Sequence, residues 1–225
     1  MSTDSTGATV SADSTGTAVS SVVTRYSRTE GIVSWTLVTT AILVVVTALY
    51  TLPPLLGVVV AVVAVLTLRL PVFRLHSEAR VVTDASPEAV REATLGARPP
   101  VLVFQWGVAD RVETGDGVRY HYSTLFGLKS AVLTVDRRET ATGVEITLTA
   151  DGTPHSTHHV TITGGEKTVV TVESDPPRGF GLRRLAGWIA AQRHYAAGLD
   201  ALGYDVRDYE TSFGLRGLPL SITRR

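Results

Sequence analysis

From position 31 to position 68 the chain carries no charged residue: GIVSWTLVTTAILVVVTALYTL, then PP, then LLGVVVAVVAVLTL, with Arg69 the first charge beyond. A bilayer core about 30 Å thick takes roughly 20 apolar residues per helix. The run is about twice that length, and Pro53-Pro54 divides it. Proline inside a helix removes a backbone hydrogen bond, and hydrocarbon tolerates no unsatisfied backbone. The pattern therefore predicts two transmembrane helices joined by a tight turn, a hairpin over residues 29–75. Its second arm reaches full length only if Arg69 snorkels and residues 70–73 rest in the interface. Arg25 and Arg28 precede the hairpin, Arg69, Arg74 and Arg80 follow it, and the connector is uncharged. Short basic flanks stay in the cytoplasm, so both termini are expected there, on a multi-pass protein of the cell membrane.

On either side the pattern changes. Residues 1–28 are rich in Ser, Thr, Ala and Gly with few large apolar side chains, which predicts a disordered tail. A signal peptide would open on a basic stretch and carry a shorter apolar run. After the hairpin, residues 76–85 read as a strand. Ser86-Pro87-Glu88-Ala89 opens a helix, with Ser at the N-cap, Pro at the first position and an acid in the first turn. Val90, Ala93 and Leu95 form its apolar side, and Gly96 ends it. Arg98-Pro99-Pro100 breaks the chain before residues 101–106, an apolar run of either type, and a second small helix is hard to find in residues 97–106.

Residues 118–125, 130–138, 144–149, 155–163 and 167–173 read as strands joined by short turns at Gly115-Asp116-Gly117, Ala141 to Gly143, Asp151-Gly152 and Gly164-Gly165. Val144, Ile146 and Leu148 alternate with Glu145, Thr147 and Thr149, the mark of a half-buried strand. Such a succession predicts an antiparallel meander. Asp175-Pro176-Pro177 stops it. Residues 181–202 then form an amphipathic helix with Leu185, Trp188, Ile189, Gln192, Tyr195, Ala196, Leu199 and Leu202 on one face and Gly203 as its C-cap. Small residues along it (Ala186, Gly187, Ala190, Ala191) allow close approach to another surface. Residues 204–213 add a short edge segment, and 214–225 read as a loose tail.

Composition narrows the function classes. Setting aside tail and hairpin leaves about 150 residues, enough for one soluble domain, placed over residues 76–213. Lys plus Arg and Asp plus Glu both number 21. No basic face is built for nucleic acid, and no nucleic-acid partner is expected. The chain has no cysteine, which excludes disulfides and thiolate metal sites.

Strand, Ser-Pro-Glu-Ala-Val helix start, meander and long final helix together resemble the polyketide cyclase/START-like (SRPBCC, helix-grip) superfamily. VVTDASPEAVREATLG at residues 81–96 is similar to the family's first strand and short helix, and residues 181–202 to its last helix. The resemblance covers roughly residues 76–209. It implies a curved antiparallel sheet wrapped on the final helix, often enclosing an apolar cavity for lipids, polyketides or other hydrophobic molecules. The chain's own pattern agrees, since a sheet with one apolar face must bury it and the last helix is long and amphipathic enough to cover it.

Candidate chemistry is sparse. His155, His158 and His159 are the most metal-like group, but on a strand His155 and His159 share a face about 13 Å apart while His158 points away; they read as strand histidines, and no metal or cofactor is expected. His121, between Tyr120 and Tyr122, shows no partner for general-base work. Asp110 and Glu113 point to opposite faces of an extended segment. The aromatics Trp106, Tyr120, Tyr122, Trp188 and Tyr195, with Gln192 on the inner face of the last helix, are the candidate cavity lining, because apolar pockets use a few polar groups to fix orientation.

The expectation is thus an α+β helix-grip domain behind two N-terminal transmembrane helices. Its expected function is non-enzymatic binding of a hydrophobic or lipid-like molecule beside the bilayer, with oligomeric state open. A solidly packed interaction module and a cyclase- or hydrolase-like enzyme using His121 or Asp110 are the alternatives.

Overall fold

The computed structural model describes residues 6–69, 73–115, 117–124, 129–175, 185–215 and 218–224. A single helix, α1 (Thr6–Thr51), opens the chain. At 1.5 Å per residue it is about 69 Å long. The segment expected as a disordered tail is thus helical from Thr6 onward. The reason lies in Val19, Val22, Val23 and Tyr26, which repeat at helical spacing and pack against Val103 and Phe104. Burial of this stripe supplies what the polar composition alone does not.

Leu52 N–H donates to the Ala48 carbonyl at 3.0 Å, and the chain then turns at Pro53. Helix α2 (Pro54–Arg69) starts with proline at its first position, where no N–H is needed. The turn falls where the double proline placed it. The second transmembrane helix is corrected, however: α1 is the one described helix long and apolar enough to cross a membrane, and α2 has 16 residues. That is about 24 Å, short of a 30 Å core. The two helices touch through small residues. A Cβ on Gly57 would stand 3.1 Å from the Leu49 Cα and 3.2 Å from the Ala48 carbonyl.

Strand β1 (Phe73–Thr83) leads to α3 (Pro87–Leu95), capped as expected by the Ser86 hydroxyl, which accepts from the Ala89 N–H at 3.2 Å. A 3-10 turn (Pro100–Leu102) and α4 (Val103–Gly107) follow. A second small helix is therefore present after the Pro99-Pro100 break. Its five residues, VFQWG, are too few to display a period in the sequence. Next come β2 (Arg111–Thr114), β3 (Val118–Thr124), β4 (Lys129–Glu139), β5 (Gly143–Ala150), β6 (Thr153–Thr163) and β7 (Thr168–Asp175), then α5 (Leu185–Asp200). Two strands close the chain, β8 (Asp205–Leu215) and β9 (Leu218–Arg224), where a short edge and a loose tail were expected. Strand β8 pairs with the edge of β1 that β7 leaves free, and β9 in turn pairs with β8, so backbone hydrogen bonding holds the segment.

The described strands form one antiparallel sheet in the order β2-β3-β4-β5-β6-β7-β1-β8-β9. Placing the first strand between the seventh and the eighth joins the meander to the β8–β9 hairpin in one open sheet, on whose apolar face α5 packs through Leu199 and Tyr195, the helix-grip arrangement. Register shifts in the β1–β8 and β5–β6 pairs mark bulges, which bend a sheet. Its inner face carries Ala79, Val81, Tyr120, Val135, Ile146, Leu148, Val160, Val170 and Val172, with Leu102 and Leu199 packed among them. Arg137 closes the C-terminal end of α3 by donating to the Leu95 and Gly96 carbonyls.

Candidate ligand site

Helix α5 is covered on two sides. Toward the sheet, Gln192 Nε2 donates to the Tyr209 hydroxyl at 3.1 Å and to Thr211 Oγ1 at 2.6 Å. The Tyr195 ring meets that of Tyr209 with centroids 5.2 Å apart, and Leu199 is buried. Toward α1, Gly187 lies where a Cβ would stand 3.1 Å from Glu30 Oε1, and His194 Nε2 is 3.0 Å from the Thr29 hydroxyl. The small residues of α5 thus receive α1. Burial and the nearby Arg193 and Arg25 push the His194 pKa down. Tyr26 stacks on Phe104, centroids 4.4 Å apart. No reading of α5 alone foretold this second cover; the signal was the Val19–Val23–Tyr26 spacing upstream.

The six residues expected to line a cavity fall in three places. Tyr120 is fully buried, and its hydroxyl donates to the Ala97 carbonyl at 3.0 Å. Burial pushes its pKa up to about 12. Tyr122 donates to the Gln105 carbonyl at 2.9 Å, and burial likewise raises its pKa. Tyr120 thus ties the link after α3 to β3, and Tyr122 ties α4 to it. Trp106 belongs to a groove of about 490 Å³ between α1, α4 and β2, a volume suited to a small molecule. Its indole N–H donates to the Pro99 carbonyl at 2.9 Å, and the Arg98 guanidinium sits 5.8 Å from its ring centroid. Val19, Val23, Val112 and Leu202 supply the groove's apolar walls, Arg98, Arg111 and Asp110 its charges. Gln192 and Tyr195 stand at the contact between α5 and β8, with Trp188 one turn before Gln192.

The imidazoles separate as strand geometry requires. On β6, His159 faces outward with Nδ1 3.5 Å from Glu145 Oε2. His158 faces inward, Nδ1 2.6 Å from Ser174 Oγ and Nε2 3.2 Å from Ser156 Oγ. Burial, with His155 and His159 nearby, pushes its pKa down to about 4, so the ring is neutral at physiological pH. His121 is held by a carboxylate that the sequence did not pair with it: its Nε2 lies 2.9 Å from Glu113 Oε2. Antiparallel pairing of β2 with β3 sets Arg111 opposite His121, which makes Glu113 its diagonal neighbour. Asp110 accepts from the Ser123 N–H at 2.5 Å and caps the same hairpin.

No family model matches the chain, and no curated protein does. Among solved structures, a START superfamily protein from Mycobacterium smegmatis is 17% identical, covering 57% of this chain and 97% of its own, with a TM-score of 0.37. DynU16, from the dynemicin biosynthetic locus, is 23% identical over 55% of this chain at a TM-score of 0.35; the chain spans 45% of its length. CalU16 from Micromonospora echinospora is 18% identical, covering 56% and 73%, with a TM-score of 0.34. The helix-grip description rests on this chain's own strand order and on the seat of α5.

Proposed function

We propose that the chain is a membrane-anchored, non-enzymatic binding domain for a hydrophobic or lipid-like small molecule. One observation carries this reading: α1 is a continuous rod, docked on α5 at one end and bare and apolar at the other. Trp35, Leu43 and Tyr50 are 74%, 64% and 88% exposed, a state that water penalises and hydrocarbon does not. Glu30, the last charge before the apolar stretch, lies against Gly187 near the start of α5. The root of the apolar arm is thereby held beside the start of α5, where a ligand leaving the bilayer would enter the grip.

In this reading the apolar arm of α1 enters the membrane, and α2, too short to cross alone, turns back beside it from Pro53. The docked half of α1 and strand β1, which follows α2, belong to one folded unit. The chain must therefore return to the side it left, which the basic flanks make cytoplasmic. Residues 76–213 form the binding domain. Trp188, Gln192 and Tyr195 line the entry, Trp106 the outer groove, and Tyr120 and Tyr122 hold the walls. Purifying the full-length chain in detergent and extracting it for lipid analysis, or subjecting it to native mass spectrometry, is expected to yield an apolar molecule in stoichiometric amount. Recovery of none would end this reading.

A second reading, a packed interaction module, is favoured by one observation. Tyr120, Leu102, Ile146, Leu148 and Leu199 are each less than 2% exposed and fill one end of the grip. Trp188→Ala and Gln192→Ala separate the two: ligand retention falls in the first case, thermal stability alone in the second.

A further inference from the structure

The inner face of the sheet is apolar in the row formed by Val160, Val172 and Ala79, which stand opposite one another across β6, β7 and β1. Two residues along each strand, toward the start of β1, the adjacent row is different. His158 pairs with Ser174, Ser174 with Ser77, and Ser77 with Thr211 of β8. Neighbouring strands lie about 4.8 Å apart, so four polar side chains line up over about 15 Å of the concave face. A fold that needed only stability here would continue the apolar pattern of the next row, because burying hydroxyls gains nothing over a well-packed Val.

Ser77, Ser156, His158 and Ser174 are half-buried, within reach of a guest rather than sealed in the core. Gln192 reaches down from α5 to Thr211 and Tyr209 and closes the row from above. The row also sits near the root of the apolar arm. Ser77 lies four residues past Phe73, where β1 begins after α2, and Gln192 lies one turn and a half from Gly187, which touches Glu30.

The chemistry of the row is uncharged and two-sided. A neutral imidazole donates through one nitrogen and accepts through the other. One of the flanking serines must then give its proton to His158, while the other receives a proton and keeps its own hydroxyl hydrogen to donate elsewhere. Both retain acceptor capacity. The row itself contains no Lys, Arg, Asp or Glu; beyond Ile146 it ends at Arg137, whose guanidinium is committed to the Leu95 and Gly96 carbonyls. An anionic head would find no counter-charge there, whereas a hydroxyl, ester or ketone would find both a donor and an acceptor.

We infer that this row, His158 with Ser156 and Ser174 on one side and Ser77, Thr211 and Gln192 on the other, is a hydrogen-bonding site for the uncharged polar head of an otherwise apolar molecule. The inference rests on the binding function proposed above and adds the class of head group to it.

The test uses the full-length chain in phosphatidylcholine liposomes, photolysed with diazirine-bearing hexadecanol, hexadecane or hexadecanoic acid, with labelled peptides mapped by mass spectrometry. Hexadecanol is expected to label peptides of β1, β7 and α5 about 10-fold more than either other probe, the margin of a hydrogen bond made in a half-dry site. His158→Phe with Ser174→Val should abolish that preference. Ser174→Ala, which leaves the packing nearly intact, should reduce it while the thermal unfolding curve stays near that of the parent. Equal labelling by hexadecane overturns the head-group site and leaves binding standing; preference for the acid overturns it in favour of a cationic site. No labelling of these peptides by any probe removes the binding function itself.

Discussion

Residues 16–30 and 31–51 belong to the same helix, yet their exposure runs opposite to their composition. The first half, GTAVSSVVTRYSRTE, is mostly polar, and it buries Val19 and Val23 against the domain. The second half is almost wholly apolar, and it leaves Trp35, Leu43 and Tyr50 bare. Hydropathy therefore reports which solvent a segment is built for, and says little about whether protein covers it. A sparse stripe of three or four apolar residues is enough to dock a helix on a prepared seat. A dense apolar cylinder, by contrast, has no single face to dock and needs a uniformly apolar surround.

The largest expected effect breaks the second half. Ile42→Arg with Val46→Arg places two guanidiniums on the apolar arm, each costing about 2.5–3.5 kcal/mol near a bilayer centre. The fraction of protein resisting alkaline carbonate extraction should fall by at least about 10-fold, while the melting of the folded domain stays unchanged. An unaltered membrane fraction would mean that the arm is covered by protein instead.

Next in size is the first half. Phe104→Ala removes the ring stacked on Tyr26 and should cost about 3–5 kcal/mol in denaturant unfolding. Residues 16–30 should become sensitive to protease, while membrane retention survives. If that segment stays protected, α1 is held by something other than this seat.

The third outcome isolates the domain from both halves. The His158 pKa is depressed in the fold, so between about pH 6.5 and 4 the unfolded chain binds the extra proton. Stability from this group is complete above the unfolded value of about 6.5 and is lost as pH falls toward 4, by about 3 kcal/mol at most. His158→Gln should flatten that slope, and the double-arginine chain should keep it. Urea titrations at several pH values measure both.

The smallest effect tests the seat's geometry. A Cβ on Gly107 would stand 2.5 Å from Val23 Cγ2. Gly107→Ala should therefore destabilise by about 1–2 kcal/mol. Val23→Ala in the same chain should recover part of the loss, a coupling that a thermal double-mutant cycle reads directly.

The strands were legible in sequence because their cue is local. Val144, Ile146 and Leu148 alternate over six residues, and glycine turns or the Asp175-Pro176-Pro177 break bound the runs, so neither neighbour nor partner is needed to see them. Ser86-Pro87-Glu88 announced α3 for the same reason. What escaped detection depended on distant residues. The 3-10 turn and α4 are too short for a period, and their helicity follows from Val103 and Phe104 filling the space under α1 and α5. Strand β9 exists as the partner of β8, itself paired with β1 more than a hundred positions earlier. Of the expected lining, Gln192 was visible as the polar member of an apolar helix face. Its companions Ser77, Ser174 and Thr211 were hidden as ordinary strand hydroxyls until the register set them in one row.

By itself the order of residues determined the apolar hairpin with its turn at Pro53, the meander, the caps and the amphipathic final helix. Each follows from spacings within one element, where backbone periodicity leaves little choice. Only tertiary structure decided that the polar start of the chain docks on α5, that His121 meets Glu113, and that four hydroxyl and imidazole groups share one level of the concave face. Those outcomes depend on register and on which surface comes to lie against which, free energies that no single segment contains.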